Sequence, residues 1–243
     1  AGLMDYPFAF NTAAGWNLGE EFVNMYMGTG ADFFKPGTAE INVNNEHGIA
    51  TLNMMKALTE YSNPDFLTFN SDATQALWEA GDLALATFWG TRAGPIMDDE
   101  GSTEEVTSNT VVASAPFFAG GPRPSSTLWW DGFSIASNVS DEDAEASFLA
   151  MMNGMSKEMV MANNDLAVWL MDGYKPSKAS VGVTETASNG AAPYPSLPFF
   201  GALHGAAGAE LTDFLQGNES AEQALADLEA AYTASAKEKG FLN

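Results

Sequence analysis

The stretch Ser126-Thr127-Leu128-Trp129-Trp130-Asp131-Gly132-Phe133-Ser134-Ile135-Ala136 places two adjacent indoles beside one carboxylate. Large aromatic rings stack on C–H faces, and a carboxylate accepts hydrogen bonds from hydroxyls, so this set suits a polyhydroxylated ligand. Packing of both rings in the core or at its rim is the competing reading of this stretch taken alone. Other aromatics repeat the pattern. Trp89 stands beside Gly90 and near Arg92, Phe8 and Trp16 flank the turn at Gly15, and Tyr194 and Phe199 straddle a proline-rich helix entry with Phe200. Aromatics that only fill a core sit inside elements. These sit at element ends next to Gly or Pro, where α/β folds build their pockets. Trp89 and the Trp129–Trp130 pair read as facing walls of such a cleft.

Other chemistry finds little support. Cysteine is absent, which excludes disulfides, thiolate metal sites and cysteine nucleophiles. His47 and His204 are the only two histidines and lie far apart in the chain, a poor basis for a zinc enzyme. His47 reads as a surface residue near a helix start. No serine occupies a nucleophile elbow, and Gly120-Gly121-Pro122 fits neither a phosphate-cradling loop nor a dinucleotide fingerprint. Carboxylate pairs for glycoside cleavage can be drawn freely from 32 acids, so no pair is selected. The acidic run Asp98 to Glu105 lacks the spacing of an EF-hand loop and reads as a solvated turn. No metal and no cofactor are expected.

The 243 residues carry 32 acids against 9 Lys and Arg, a formal net charge of −23. A polyanion of this kind repels nucleic acid and anionic membranes, and the basic residues form no patch. Such an acid excess suits salty surroundings, where counterions screen self-repulsion; stability that rises with added salt is the measurable consequence. With 46% hydrophobic residues the composition is that of a globular protein, large enough for one big domain or two smaller ones. No apolar run reaches the roughly 18–20 residues of a spanning helix. The chain opens Ala1-Gly2-Leu3, without initiator Met, signal peptide or lipid-attachment Cys.

The elements that must position these residues follow from caps and periodicity. Glu20 to Met27 has Phe22, Val23 and Tyr26 at helical spacing, closed by Gly28-Thr29-Gly30. Asn44 or Asn45 caps a helix from Glu46 with Ile49, Leu52, Met55 and Leu58 on one face, and Asn70-Ser71-Asp72 opens another through Glu79. Leu83 to Trp89 and Val111 to Ala115 read as strands, the first of them buried. Gly132 to Ser137 reads as a strand entering the interior. Ser140 caps a helix whose apolar face is Phe148, Met151, Met152 and Met155. A short helix carries Leu166, Trp169 and Leu170, a loop-like zone runs from Ser177 to Pro198, and a helix covers Phe199 to Leu215. Ser220-Ala221-Glu222-Gln223 is a capping box for a last helix that buries Leu225, Leu228 and Tyr232. Short strands mixed with capped helices give an α/β class.

Leu77-Trp78-Glu79-Ala80-Gly81-Asp82-Leu83-Ala84-Leu85-Ala86-Thr87-Phe88-Trp89-Gly90 resembles the helix–turn–strand motif of extracellular solute-binding proteins of family 1, the maltose-binding-protein-like receptors of ABC importers. The segments that follow keep the family's order: Ala115-Pro116, a Gly/Pro loop, Gly132 to Ser137, the helix opened by Ser140, Pro195 to Phe200, and Gly217 to Leu225 before a closing helix. The resemblance covers nearly the whole chain but only the C-terminal part of a family member. It implies a periplasmic-binding-protein type II-like fold with the second lobe nearly complete, from residues 1–117 and 178–243, and 118–177 as part of the first lobe. It implies a sugar held between lobes without covalent chemistry, an ABC permease of the inner membrane as partner, a periplasmic location, and a monomer in full-length form. By position it implies Trp89 as an aromatic platform, Trp129, Trp130, Asp131 and Gly132 near the hinge, and Tyr194 to Phe200, with Phe199, as a later aromatic contribution. Arg92 would donate to hydroxyls or clamp Asp131. A carbohydrate-active enzyme using the same aromatics as subsites, and a non-transport sugar-sensing module, are the alternatives.

Overall fold

The structure, a computed structural model, describes Gly2 and residues 4–243. In chain order its elements are β1 (Phe8–Ala9), α1 (Trp16–Thr29), α2 (Glu46–Thr59), α3 (Ser71–Glu79), β2 (Leu85–Ala86), α4 (Ala93–Met97), α5 (Glu104–Asn109), β3 (Thr127–Leu128), α6 (Asp141–Gly154), α7 (Lys157–Ala162), α8 (Val181–Ser188), β4 (Ala192–Pro193), α9 (Phe200–Glu210), α10 (Thr212–Gln216) and α11 (Ala221–Glu238). Two short parallel ladders, β1 with β2 and β3 with β4, bring together chain segments that are far apart in sequence. Helices between parallel strands make this an α/β fold.

The core is helical and lies where α1, α2, α9 and α11 meet. Leu18, Phe22, Val23 and Tyr26 of α1, Leu52 and Met55 of α2, Leu203 and Ala207 of α9, and Leu225, Leu228 and Tyr232 of α11 are all fully buried. Helix α9 packs closely because small residues line it. A Cβ built on Gly19 would lie 2.5 Å from the His204 carbonyl oxygen, so only glycine allows α1 and α9 this near approach. Asn45, Asn70 and Ser220 cap their helices as their sequences predict.

Several expectations are corrected. Helix α1 starts at Trp16, four residues before its first predicted turn. Leu83 to Trp89 contributes only Leu85 and Ala86 to a ladder, and Leu85 is 64% exposed. The reason is that β2 pairs on one edge alone. Val111 to Ala115 joins no ladder, and Gly132 to Ser137 likewise forms no strand. A strand exists only with a hydrogen-bonding neighbour, and none pairs with either segment among the described residues. The loop-like zone after Ser177 contains α8, whereas Leu166, Trp169 and Leu170 lie on no α-helix; a single 3-10 turn ends at Leu166.

Residues 130–150 stand apart from the core. Helix α6 forms where Ser140 predicts it, yet buries no residue, and Phe148, Leu149 and Met152 are each more than half exposed. Phe133, Leu166 and Leu170 are more than 70% exposed as well. No helix among the described residues is long and apolar enough to cross a membrane.

Candidate functional site

The carboxyl ends of β2, β3 and β4 converge on the amino end of α1. Trp89 follows β2 after two residues, Trp129 follows β3 directly, Tyr194 follows β4 directly, and Trp16 opens α1. Crevices at the carboxyl ends of parallel strands are where open α/β sheets bind ligands, because the backbone there turns into loops. The Trp16 and Trp89 rings stack at 5.8 Å with 27° between planes. Trp129 meets Trp16 edge-on at 6.0 Å and Trp89 at 5.8 Å, and lies 4.2 Å from Tyr194. Trp16 is 50% exposed and Trp129 42%, so the group is a platform open to solvent rather than a closed core. Such edge-to-face and offset contacts are the favourable geometries for π systems and hold the rings together.

Trp89 and Trp129 therefore touch as neighbours in one platform instead of facing each other across a gap. The remaining sequence-derived candidates scatter. Trp130 is 72% exposed with its ring against Gly132, and Asp131 and Gly132 are exposed beside it. Arg92 does not clamp Asp131: its guanidinium pairs with Asp72 at 2.7 Å and donates to Gln75 at 2.9 Å, both on α3. Those partners are near in sequence, whereas Asp131 belongs to the loosely packed segment. Phe199 packs on Phe34 and Phe241 at the edge of the core. Phe8 is buried against Phe10 and lines a separate concavity of about 420 Å³ with Tyr6, Phe69 and Leu77.

Beneath the platform lies a polar floor built from residues that sequence reading passed over. Glu20 and Glu21, one turn into α1, are 3% and 8% exposed. Glu20 Oε1 lies at hydrogen-bond distance, 2.7 Å, from Thr127 Oγ1 and accepts from Trp129 Nε1 at 3.3 Å. Its Oε2 is buried without a hydrogen-bond partner, 3.7 Å from His204 Nδ1. Burial pushes the Glu20 carboxyl up to about 7, against the opposing pull of its hydrogen bonds to Thr127, Trp129 and Asn24. Burial likewise pushes Glu21 up to about 8, with the neighbouring Glu20 charge adding to it and the Asn11 backbone N–H opposing it.

His204 is 3% exposed on α9. Its Nε2 lies 2.8 Å from the Trp16 carbonyl, which can only accept, so Nε2 carries the hydrogen. Nδ1 of the neutral ring then accepts from the Tyr194 hydroxyl at 2.8 Å. Burial lowers the His204 pKa and raises that of Tyr194, so both groups stay neutral. With the His204 ring neutral, its 3.7 Å approach to Glu20 is not an ion pair. One sequence signal could have marked the acids: Glu20-Glu21 sits between Leu18-Gly19 and Phe22-Val23, with no Lys or Arg three or four residues away. No cluster of metal-ligating side chains exists among the described residues.

No family model matches the sequence, and no curated protein is similar to it. Solved structures do match in fold. An ABC transporter solute-binding protein from Agrobacterium radiobacter K84 in complex with ribitol aligns with a TM-score of 0.77 at 19% identity, over 93% of this chain and 58% of its own. Maltose-bound T. maritima MalE3 gives 0.76 at 17% identity, over 94% and 60%. The solute-binding protein from Agrobacterium vitis S4 with bound D-mannitol gives 0.75 at 18% identity, over 97% and 62%. The fold is thus that of ABC-transporter solute-binding structures, of the periplasmic-binding-protein type II-like kind, and the chain spans about 60% of their length.

Proposed function

We propose that this chain is the greater part of an extracytoplasmic receptor that holds a polyol, mono- or oligosaccharide and delivers it to an ABC permease, without covalent chemistry. The observation that carries this reading is the solvent-open platform of Trp16, Trp89, Trp129 and Tyr194 at the carboxyl ends of the strands. Indole and phenol faces bind the C–H faces of sugars and polyols, and the matched structures hold ribitol, maltose and D-mannitol.

In this proposal residues 1–117 and 178–243 form one lobe, and 118–177 belong to the other. The exposed Phe133, Phe148, Leu149 and Met152 support that division. An apolar helix face with nothing packed on it belongs against further structure, and the matched proteins have that further length. Closure of two lobes on the ligand adds contacts that a single platform lacks, so binding to this chain alone is weaker than to a two-lobed receptor. Tryptophan emission, titrated with polyols and with di- and oligosaccharides, tests the reading. A saturable change that Trp129→Ala removes is expected. Absence of any response, both in this chain and in the polypeptide completed with a full first lobe, would sink it. Turnover of a glycoside substrate would replace it with an enzyme.

A further inference from the structure

The hydroxyl of Thr127 has one hydrogen and three close polar neighbours. Trp129 Nε1 donates to it at 2.9 Å. Asn24 Oδ1 lies 2.7 Å away, and this oxygen also accepts from the Thr127 backbone N–H at 2.8 Å, which settles that the amide presents its oxygen. Glu20 Oε1 lies 2.7 Å away too. An ionised Glu20 would leave two acceptors competing for one hydrogen, with one bare oxygen–oxygen contact at that short distance. A hydrogen on Oε1 satisfies all three neighbours: Glu20 donates to Thr127, Thr127 donates to Asn24, and Trp129 donates to the second lone pair of Thr127.

We infer that Glu20 is a positioning residue kept as the neutral carboxylic acid, whose hydrogen bond through Thr127 fixes the Trp129 indole in the platform. The groups facing Glu20 agree with neutrality. Glu21 follows it on α1, His204 faces it from α9 with Nδ1 already accepting from Tyr194, and Asn24, Thr127 and Trp129 complete the surroundings. Among the described residues no Lys or Arg pairs with it. Burial, which pushes its carboxyl up to about 7, acts in the same direction. Loss of the proton turns the Thr127 hydrogen toward Glu20, parts Thr127 from Asn24, and loosens the link between α1 and the segment that carries Trp129.

The test is made without ligand, on tryptophan emission of the chain between about pH 5 and about pH 9. One transition near neutrality is expected. It should vanish in Trp129→Phe, which removes the reporter, and in Glu20→Gln, whose amide donates to Thr127 at every pH. A flat wild-type profile would overturn the inference, and so would a transition that persists in Glu20→Gln, which would assign the change to Glu21 or His204. Where Glu20→Gln fails to fold, carboxyl-carbon NMR of the wild type decides. Two glutamates titrating near neutrality, one of them lost in Glu21→Gln, support it; all glutamates titrating in the ordinary acidic range overturn it. A consequence for ligand binding rests on the saccharide reading above. Affinity should then fall about tenfold as Glu20 ionises in the wild type and stay level in Glu20→Gln. Failure of every sugar to bind leaves the emission result standing, so the two proposals fail separately.

Discussion

Helices α1 and α6 are both 14 residues long, and they owe their existence to opposite causes. Helix α6 has every local advantage. Ser140 accepts from the Asp143 backbone N–H, and three acids occupy its first turn, where the dipole favours negative charge. Helix α1 has no side-chain cap, no acid in its first turn, and Gly15 and Gly30 at its two ends. Yet α1 buries nine residues and α6 none. Local encoding decides whether a helix is written, and tertiary burial decides whether it is the core. Here the better-written helix is the one without a partner, and its apolar face is turned to water.

This comparison is sharpest in the hydrophobic core. Leu225, fully buried on α11 beside Gly48 of α2, should cost about 2–5 kcal/mol when replaced by Ala. Phe148→Ala on α6, where the ring is 53% exposed, should stay within about 0.5 kcal/mol. Denaturant unfolding of the two variants measures both. Equal losses would mean that α6 packs on something in solution, and the contrast drawn above would fall.

The buried acids of α1 have no counterpart on α6, whose acids are exposed. Glu20 and Glu21 bind protons more tightly in the folded chain than in the unfolded one. Between their unfolded value near 4.5 and their folded values near 7 and 8, the native state holds the extra protons, so stability must fall as pH rises through that window. The loss is roughly 3 kcal/mol for Glu20 alone, and more for Glu21. Midpoints of denaturation between pH 5 and pH 9 check the sign, and Glu21→Gln should flatten most of the slope. A stability that climbs over the same range would contradict the burial of both acids.

Caps give a smaller contrast. Ser220→Ala removes the acceptor for the Gln223 N–H at the head of α11, whose Leu225, Leu228 and Tyr232 are core, and should lower global stability by about 1 kcal/mol. Ser140→Ala removes an equivalent bond but should leave the global transition nearly unmoved, because α6 opens without exposing core. Its effect belongs in hydrogen exchange, where α6 amides should exchange faster in the variant while those of α9 stay protected.

How much was legible follows the same division. The helix starts at Asn45, Asn70, Ser140 and Ser220 are signalled within four residues, because a cap is a bond between near neighbours. The buried stripes of α2 and α11 were readable for the same reason. Of the aromatics gathered at element ends, Trp16, Trp89, Trp129 and Tyr194 come together in the structure. Type and position in the chain did not separate these from Phe8, Phe199 and Trp130, which lie elsewhere. Arg92 was placed against the wrong carboxylate, since any of 32 acids is an equally good partner until the backbone path is known.

What the sequence by itself determined is therefore the local grammar: capped helices, the acid excess and the absence of thiol chemistry. Only the tertiary structure decided which apolar faces are covered and which strands find an edge to pair with. It also decided that His204 and Glu20, far apart in the chain, face each other beneath the platform. The physical reason is that burial and proton affinity depend on what packs from outside a residue's own element. Glu20 reads as an ordinary surface acid in its own helix turn; α9 and the Thr127–Trp129 segment make it a buried, proton-holding one.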